Sequence, residues 1–275
     1  MISKKQLLAS ILGASMFLGA GCAPASPAVT DVPDMTTAWE TQERPPAQTG
    51  PDTLQFSPAV TAKIPAGWTV QAYVPVPQYT NYDVTTSVSQ NVGLGAIHVS
   101  EWLKGPSPDE GYVIAHEDRP AALEVLKGAY EHKAVTAADR ANFEAGVGEF
   151  LGYSQVRASL QYFASADGTF RGISFYNLQG QAAGAYPVYH VSLYDPTSDM
   201  IVYGWYGVPA SAKEVVGINA WLEDMNGLSS KEIQTRDEQG KVKVKALLES
   251  TPKSKLSFFA GLNLFDEFFR SISRK

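Results

Sequence analysis

The rhythm of apolar and polar positions changes several times along the chain, and each change marks a boundary. Leu7 to Leu18 form a short apolar run behind Lys4 and Lys5, closed by Gly19-Ala20-Gly21-Cys22. From residue 23 to about 52 no apolar period is present and prolines recur, ending in Pro45-Pro46. That is the composition of an extended, disordered tether. From Phe56 the pattern shortens to alternation. Val60 to Ile64 and Val70 to Val74 read as strands around a Pro65-Ala66-Gly67 turn. Tyr82 to Gln90 and Leu94 to Leu103 read as two more, before Gly105-Pro106-Ser107-Pro108 breaks the pattern.

The period then lengthens. Asp118 is placed to cap a helix with Arg119 and Pro120 in its first turn, and Leu123, Leu126, Ala129 and Tyr130 supply its stripe. Thr136 caps a second helix over 137 to 150, with Phe143, Val147, Phe150 and Leu151 on one side. Alternation returns in Tyr153 to Ala164, through Val156, Ala158, Leu160 and Tyr162. Asp167-Gly168 is a hairpin signal, and Phe170 to Gln179 is its second strand. A loose loop over 180 to 184 leads to a second hairpin, Tyr186 to Tyr194 with Met200 to Val208. Ser211 caps a helix running to Met225. Leu228 to Thr251 is polar and charged, an exposed arm with a short helix or strand in it. Phe258, Leu262, Phe265, Phe269 and Ile272 then follow helical spacing, with Phe259, Leu264 and Phe268 widening the face and basic residues at the end.

These elements predict an α+β body: an antiparallel sheet covered by helices, after a disordered N-terminal tether and before a C-terminal amphipathic helix. The expected divisions are 1–21 leader, 22–52 tether, 53–229 globular domain, and 230–275 charged arm and amphipathic helix. Ile64, Pro65, Gly67 and Trp68, the long strands and the closing strand-then-helix over Tyr186 to Met225 resemble the PsbP/Mog1 fold. That resemblance covers about 56–229 and implies a central antiparallel sheet between helices. It also implies a non-enzymatic binding or assembly role.

The start of the chain has its own chemistry. A positive n-region, an apolar stretch too short to span a bilayer, and small residues before a cysteine resemble the processing site of bacterial lipoproteins. The pattern departs from that family at Gly19, three residues before Cys22, where leucine is usual; Leu18 lies one place earlier. The resemblance implies that Cys22 is lipidated and becomes the first residue of the mature protein. Ala23 in place of aspartate implies sorting to the outer membrane, facing the periplasm, in a two-membrane cell. The alternative is an ordinary secretory leader cut near Ala20. Extended at ~3.1 Å per residue, the tether would reach on the order of 90 Å from the lipid. Trp39 within it is either a docking point or packs on the domain.

Composition narrows the function classes. The chain has 275 residues, a net charge of −6 and a single cysteine. An acidic chain has no electrostatic reason to bind nucleic acid. With Cys22 acylated there is no thiol for a disulfide, a metal or a nucleophile, which suits an oxidising compartment. His98, His116, His132 and His190 show no metal-ligand spacing; His98 and His190 fall in predicted strands and read as half-buried structural residues. No serine-hydrolase motif is present, and Ser254 and Ser257 lie near lysines without a recognisable base. His116-Glu117-Asp118 reads as a solvated loop. Gly93-Leu94-Gly95 lacks the third glycine and the following helix of a phosphate loop. The sequence therefore yields no catalytic residue, no metal site and no cofactor.

What remains is aromatic. Tyr73, Tyr79, Tyr82, Tyr186, Tyr189, Tyr194, Tyr203, Trp205 and Tyr206 concentrate in strands, a distribution that serves both cores and binding surfaces. Three readings stay open. The first is an envelope lipoprotein that binds a protein partner, docking through the sheet or through Phe258, Leu262, Phe265 and Phe269. The second is a module for a small apolar or glycan ligand. The third is a hydrolase with an unrecognised site. For the 256–272 helix, packing on its own domain is the other expectation.

Overall fold

The computed structural model describes residues 46–73, 79–86, 92–104, 119–144, 156–181, 184–208 and 227–275. The anticipated helix over 211 to 225 falls outside these, as do Asp118, most of the tether and Cys22. In the body, two hairpins form the centre of the sheet. β8 (Arg171–Gln181) pairs with β7 (Val156–Ala164) on one side and β9 (Gly184–Asp195) on the other. β9 returns as β10 (Met200–Gly207), which pairs with β6 (Val92–His98). β5 (Tyr79–Thr85), β4 (Thr69–Tyr73) and the two-residue β1 (Gln48–Thr49) complete an antiparallel sheet of eight strands. Its order is β1-β4-β5-β6-β10-β9-β8-β7. The α+β antiparallel architecture read from the periodicity is therefore present.

Two layers cover the sheet. On one face lie α1 (Val99–Lys104) and α2 (Arg119–His132), whose Trp102, Leu123 and Leu126 pack with Ile97, Ile173, Phe175 and Ile201. α3 (Ala137–Glu144) begins at Thr136. The Asp139 amide donates to the Thr136 hydroxyl, and the Thr136 amide donates back to the Asp139 carboxylate. This reciprocal cap satisfies two donors that a helix start leaves open. On the other face lie α4 (Ser230–Ser250), α5 (Phe259–Arg270) and a second sheet of three strands in the order β11-β3-β2. Its strands are β2 (Thr53–Ser57), β3 (Val60–Lys63) and β11 (Ser273–Arg274). Tyr82 ties the two sheets by donating to the Gln55 carbonyl.

Several elements depart from the periodicity. The strand expected over Leu94 to Leu103 ends at His98, and Val99 starts α1 with its amide on the Asp199 carbonyl. Val99, Trp102 and Leu103 are spaced by three and four, which short alternation disguised. Ala158 and Leu160 do not share a face. A bulge at Ser159, whose φ is +57°, shifts the register between Ala158 and Gln161. An inserted residue reverses every side chain beyond it. Strand pairing continues into the stretch expected as a loose loop at 180–184, with Gly180 opposite Ala185 and Gln181 opposite Gly184. The polar arm is one helix of 21 residues, opened by Ser229 and Glu232 as a capping box. Gln48 and Thr49, assigned to the tether, already pair with Val70 and Thr69.

The end of the chain belongs to the core. Phe265, Phe268 and Phe269 are fully buried, and the Phe268 ring stacks on Trp68 at 5.7 Å. Past α5, the Ser271 hydroxyl accepts from the Lys63 amide at 2.7 Å, and the Lys275 amide donates to the Ala59 carbonyl. Among the described residues no helix is long and apolar enough to cross a membrane.

Candidate functional site

Two clusters stand out from the packing, one on each face of β8–β9–β10. The first lies under α5. Tyr176, Tyr189 and Tyr206 sit opposite one another on adjacent strands. Side chains directly opposite across a ladder share a face. The Lys253 ammonium, in the short turn before α5, donates to the Tyr189 hydroxyl at 2.6 Å and to the Asp266 carboxylate at 2.5 Å. The Tyr189 hydroxyl donates to the other Asp266 oxygen at 3.0 Å. Lys253 and Asp266 retain 22% and 18% of their side-chain exposure, so the ion pair is largely but not wholly removed from water. Burial pulls the Lys253 amine below its ordinary value, against the attraction of Asp266. Burial, reinforced by the Asp266 carboxylate, pushes the Tyr189 phenol well above its own. The hydroxyls of Tyr176 and Tyr206 are buried without a hydrogen-bond partner among the described residues. This closed triangle joins the α4–α5 connection, α5 and β9, and every charged atom in it is answered. Its chemistry is that of a clasp.

The second cluster lies on the opposite face, running from Phe175, which packs with α1 and α2, across the sheet to β5. Register places Asp83, Gly93, Trp205, His190 and Phe175 in one cross-strand row over β5, β6, β10, β9 and β8. His190 is buried and stacks on Phe175, with ring centres 5.0 Å apart and planes 13° apart. Trp205 leans the other way, over Gly93. A Cβ on Gly93 would lie 2.0 Å from Cζ2 of the indole and 2.4 Å from each of Cε2 and Cη2. A point the same distance outward from Cζ2 in the ring plane would lie farther from both Cε2 and Cη2, so these short distances place it above the ring and not at its edge. The indole thus lies flat on the backbone of β6, and its second face points away from the sheet. Trp205 is only half-buried, in the middle of an eight-stranded sheet. Among the described residues nothing makes a ring contact with it or accepts a hydrogen bond from its Nε1–H. Asp83, next in the row, is exposed. One diagonal step from His190, Asn177 is buried at 0% exposure, and among the described residues neither amide atom has a hydrogen-bond partner. Natural interiors seldom leave such a group unanswered.

The residues singled out from the sequence separate accordingly. Phe258, Leu262, Phe265 and Phe269 all face the domain's own core, the last three at 0% exposure. They present no surface to a partner, because the apolar face of α5 is spent on the sheet and on Trp68. The docking expectation for those four side chains is replaced by self-packing. His98 is exposed at the end of β6, not half-buried; His190 is deeply buried; His132 is exposed in the last turn of α2, where a cation is favoured. Ser254 and Ser257 are exposed. His116-Glu117-Asp118 and Cys22 lie outside the described residues. Among the described residues no group of three metal-ligating side chains converges. Of the strand aromatics, Tyr82, Tyr189, Tyr194 and Tyr206 are core, and Tyr203 and Trp205 are half-buried. The sequence missed the pairing of Gly93 with Trp205. Glycine spacing was read for a phosphate loop, and nothing in one strand says which side chain lies across from it.

No family model, no curated protein and no solved structure matches this chain.

Proposed function

We propose that this chain is a lipid-anchored protein of the cell envelope whose folded body is a non-enzymatic binding module, held away from the lipid by its tether. The observation that carries the binding part is the Trp205 indole, flat on Gly93, half-buried and without a partner among the described residues. Aromatic rings left in that state are suited to stacking on an incoming group at low entropic cost. The anchoring part rests on the leader, on Cys22 at the expected cut and on the proline-rich stretch after it. The PsbP/Mog1 resemblance of the sequence implies the same kind of role, binding or assembly.

A protein partner is a second reading, favoured by α4. Ser230 to Arg236 are exposed on every side of the helix, so its first two turns stand clear of the core that holds Val244 and Leu248. An exposed, capped, polar helix start is a reachable handle for an envelope component.

The two parts have separate tests. The chain should fractionate with membranes, and Cys22→Ala should move it to the soluble fraction; a variant that stays with membranes rules out lipidation as the attachment. For binding, the chain is labelled with 5-fluorotryptophan, and the Trp205 signal is assigned by its loss in Trp205→Phe. That signal should broaden with a soluble nitroxide. A signal shielded from the nitroxide means a closed shelf and removes the binding reading.

A further inference from the structure

We infer that the Trp205 shelf takes a carbohydrate, stacked on the outer face of the indole with its hydroxyls on Asp83 and its oxygens within reach of the indole N–H. This rests on the binding reading above and names the class of ligand. Three properties of the row select it. The platform is flat, because the indole is pressed onto Gly93 and its free face runs parallel to the sheet surface. A saturated sugar ring offers a matching apolar face of C–H groups. The row also holds one unused donor and one unused acceptor. Among the described residues the Trp205 Nε1–H has no acceptor, and the exposed Asp83 carboxylate has no hydrogen-bond or ion-pair partner. Asp83 and Trp205 both sit opposite Gly93, on its two sides. The indole leans from β10 across Gly93, which brings its benzo ring towards the strand that carries Asp83.

Other small ligands match less of this. An anion finds the indole N–H but is repelled by Asp83. An organic cation finds Asp83 and the ring, but it leaves the N–H unanswered, and it favours a cage of several rings over a single flat one. A purely apolar ligand leaves both polar groups unanswered beside it. A sugar presents an apolar face, donors and acceptors in one rigid ring, and its vicinal hydroxyls span the two oxygens of a carboxylate.

The test uses the full chain in detergent, labelled with 5-fluorotryptophan, and neutral oligomers of glucose and of N-acetylglucosamine as probes, with tetramethylammonium chloride as the cationic control. The expected result is that at least one oligosaccharide series shifts the Trp205 signal in a saturable way while the control does not. Read by titration calorimetry, which does not depend on the Trp205 signal, Trp205→Ala and Asp83→Asn should each weaken that binding by about tenfold or more, with unchanged melting temperature for Asp83→Asn, which sits on the surface. A saturable shift with tetramethylammonium alone overturns the carbohydrate assignment. So does a Trp205 signal that is open to the nitroxide but moves with no sugar, which leaves the binding reading standing. A signal closed to the nitroxide removes both.

Discussion

The sheet carries the same contact twice, back to back, and puts it to two uses. On one face the Phe269 ring rests on Gly204, where a Cβ would come within 2.8 Å of Cζ. On the other the Trp205 indole rests on Gly93, one strand away. In both places a missing side chain lets an aromatic ring approach the backbone. The Phe269 contact is then sealed, because α5 brings Phe265 and Phe268 with it, and these rings pack at 4.9 and 5.5 Å from Phe269. Among the described residues no ring seals the Trp205 contact and no acceptor answers its N–H. The covered ring contributes its free energy to folding. The uncovered ring has contributed only one face to folding, and the other is available to a ligand.

The sharpest way to break this comparison is to delete each ring. Phe269→Ala removes a fully buried side chain against a rigid sheet and a helix that cannot collapse into the gap. It should cost about 3–5 kcal/mol of unfolding free energy. Trp205→Ala removes a larger side chain but one only half-buried, and should cost less than about 2 kcal/mol. Urea denaturation of both variants reads the difference. Equal losses would show that Trp205 is a core residue like Phe269, and the functional distinction between the faces would fail.

A smaller effect tests how the sealed face is closed. Lys253→Met keeps most of the side-chain stem but removes the ammonium that answers Asp266 and Tyr189 and lies 3.9 Å from the Tyr189 ring centre. Asp266 keeps its bond from Tyr189, so it is left half-answered and not isolated. A cost of about 1–3 kcal/mol follows, between that of an exposed and that of a fully buried pair. The loss should leave ligand binding at Trp205 untouched. If Lys253→Met instead abolished binding with little change in the urea midpoint, the clasp would be part of the site and the division between the faces would be wrong.

The parts of this molecule that were legible in the sequence are those where one segment carries its own signal. Asp167-Gly168 announces a hairpin, Arg119-Pro120 a helix start, and the spacing from Phe258 to Ile272 an amphipathic helix. The parts that were not legible depend on a second segment. Ser159 reads as one more residue in an alternating strand, and only the ladder with β8 reveals the bulge. The described residues of the helix from Ser230 to Ser250 bury a stripe through Gly240, Val244 and Leu248, too sparse to stand out among its charges. At the candidate site the limit is the same. Trp205, His190 and Gly93 were each visible, and His190 was read as structural. Their meeting, and the opposite fates of the two ring-on-glycine contacts, are properties of strand register.

The smallest effect concerns the unanswered hydroxyl on the sealed face. Tyr206 is buried, its hydroxyl has no partner, and burial pushes its phenol up to about 12. At neutral pH, Tyr206→Phe removes a group that gains nothing from folding, so the urea midpoint should hold or rise slightly, by less than about 1 kcal/mol. In alkali the sign is set by proton counts. The unfolded chain loses its tyrosyl protons near pH 10, while folded Tyr206 keeps its proton to about 12. The folded state then binds more protons than the unfolded one, and stability falls as pH rises through that window. Tyr82, raised to about 12 by burial, adds to the same slope. In Tyr206→Phe the decline between pH 10 and 12 should be shallower than in the parent, and below pH 9 the two curves should run parallel. An unchanged alkaline slope would mean that water reaches the Tyr206 hydroxyl. The face beneath α5 would then be as open as the one that holds Trp205.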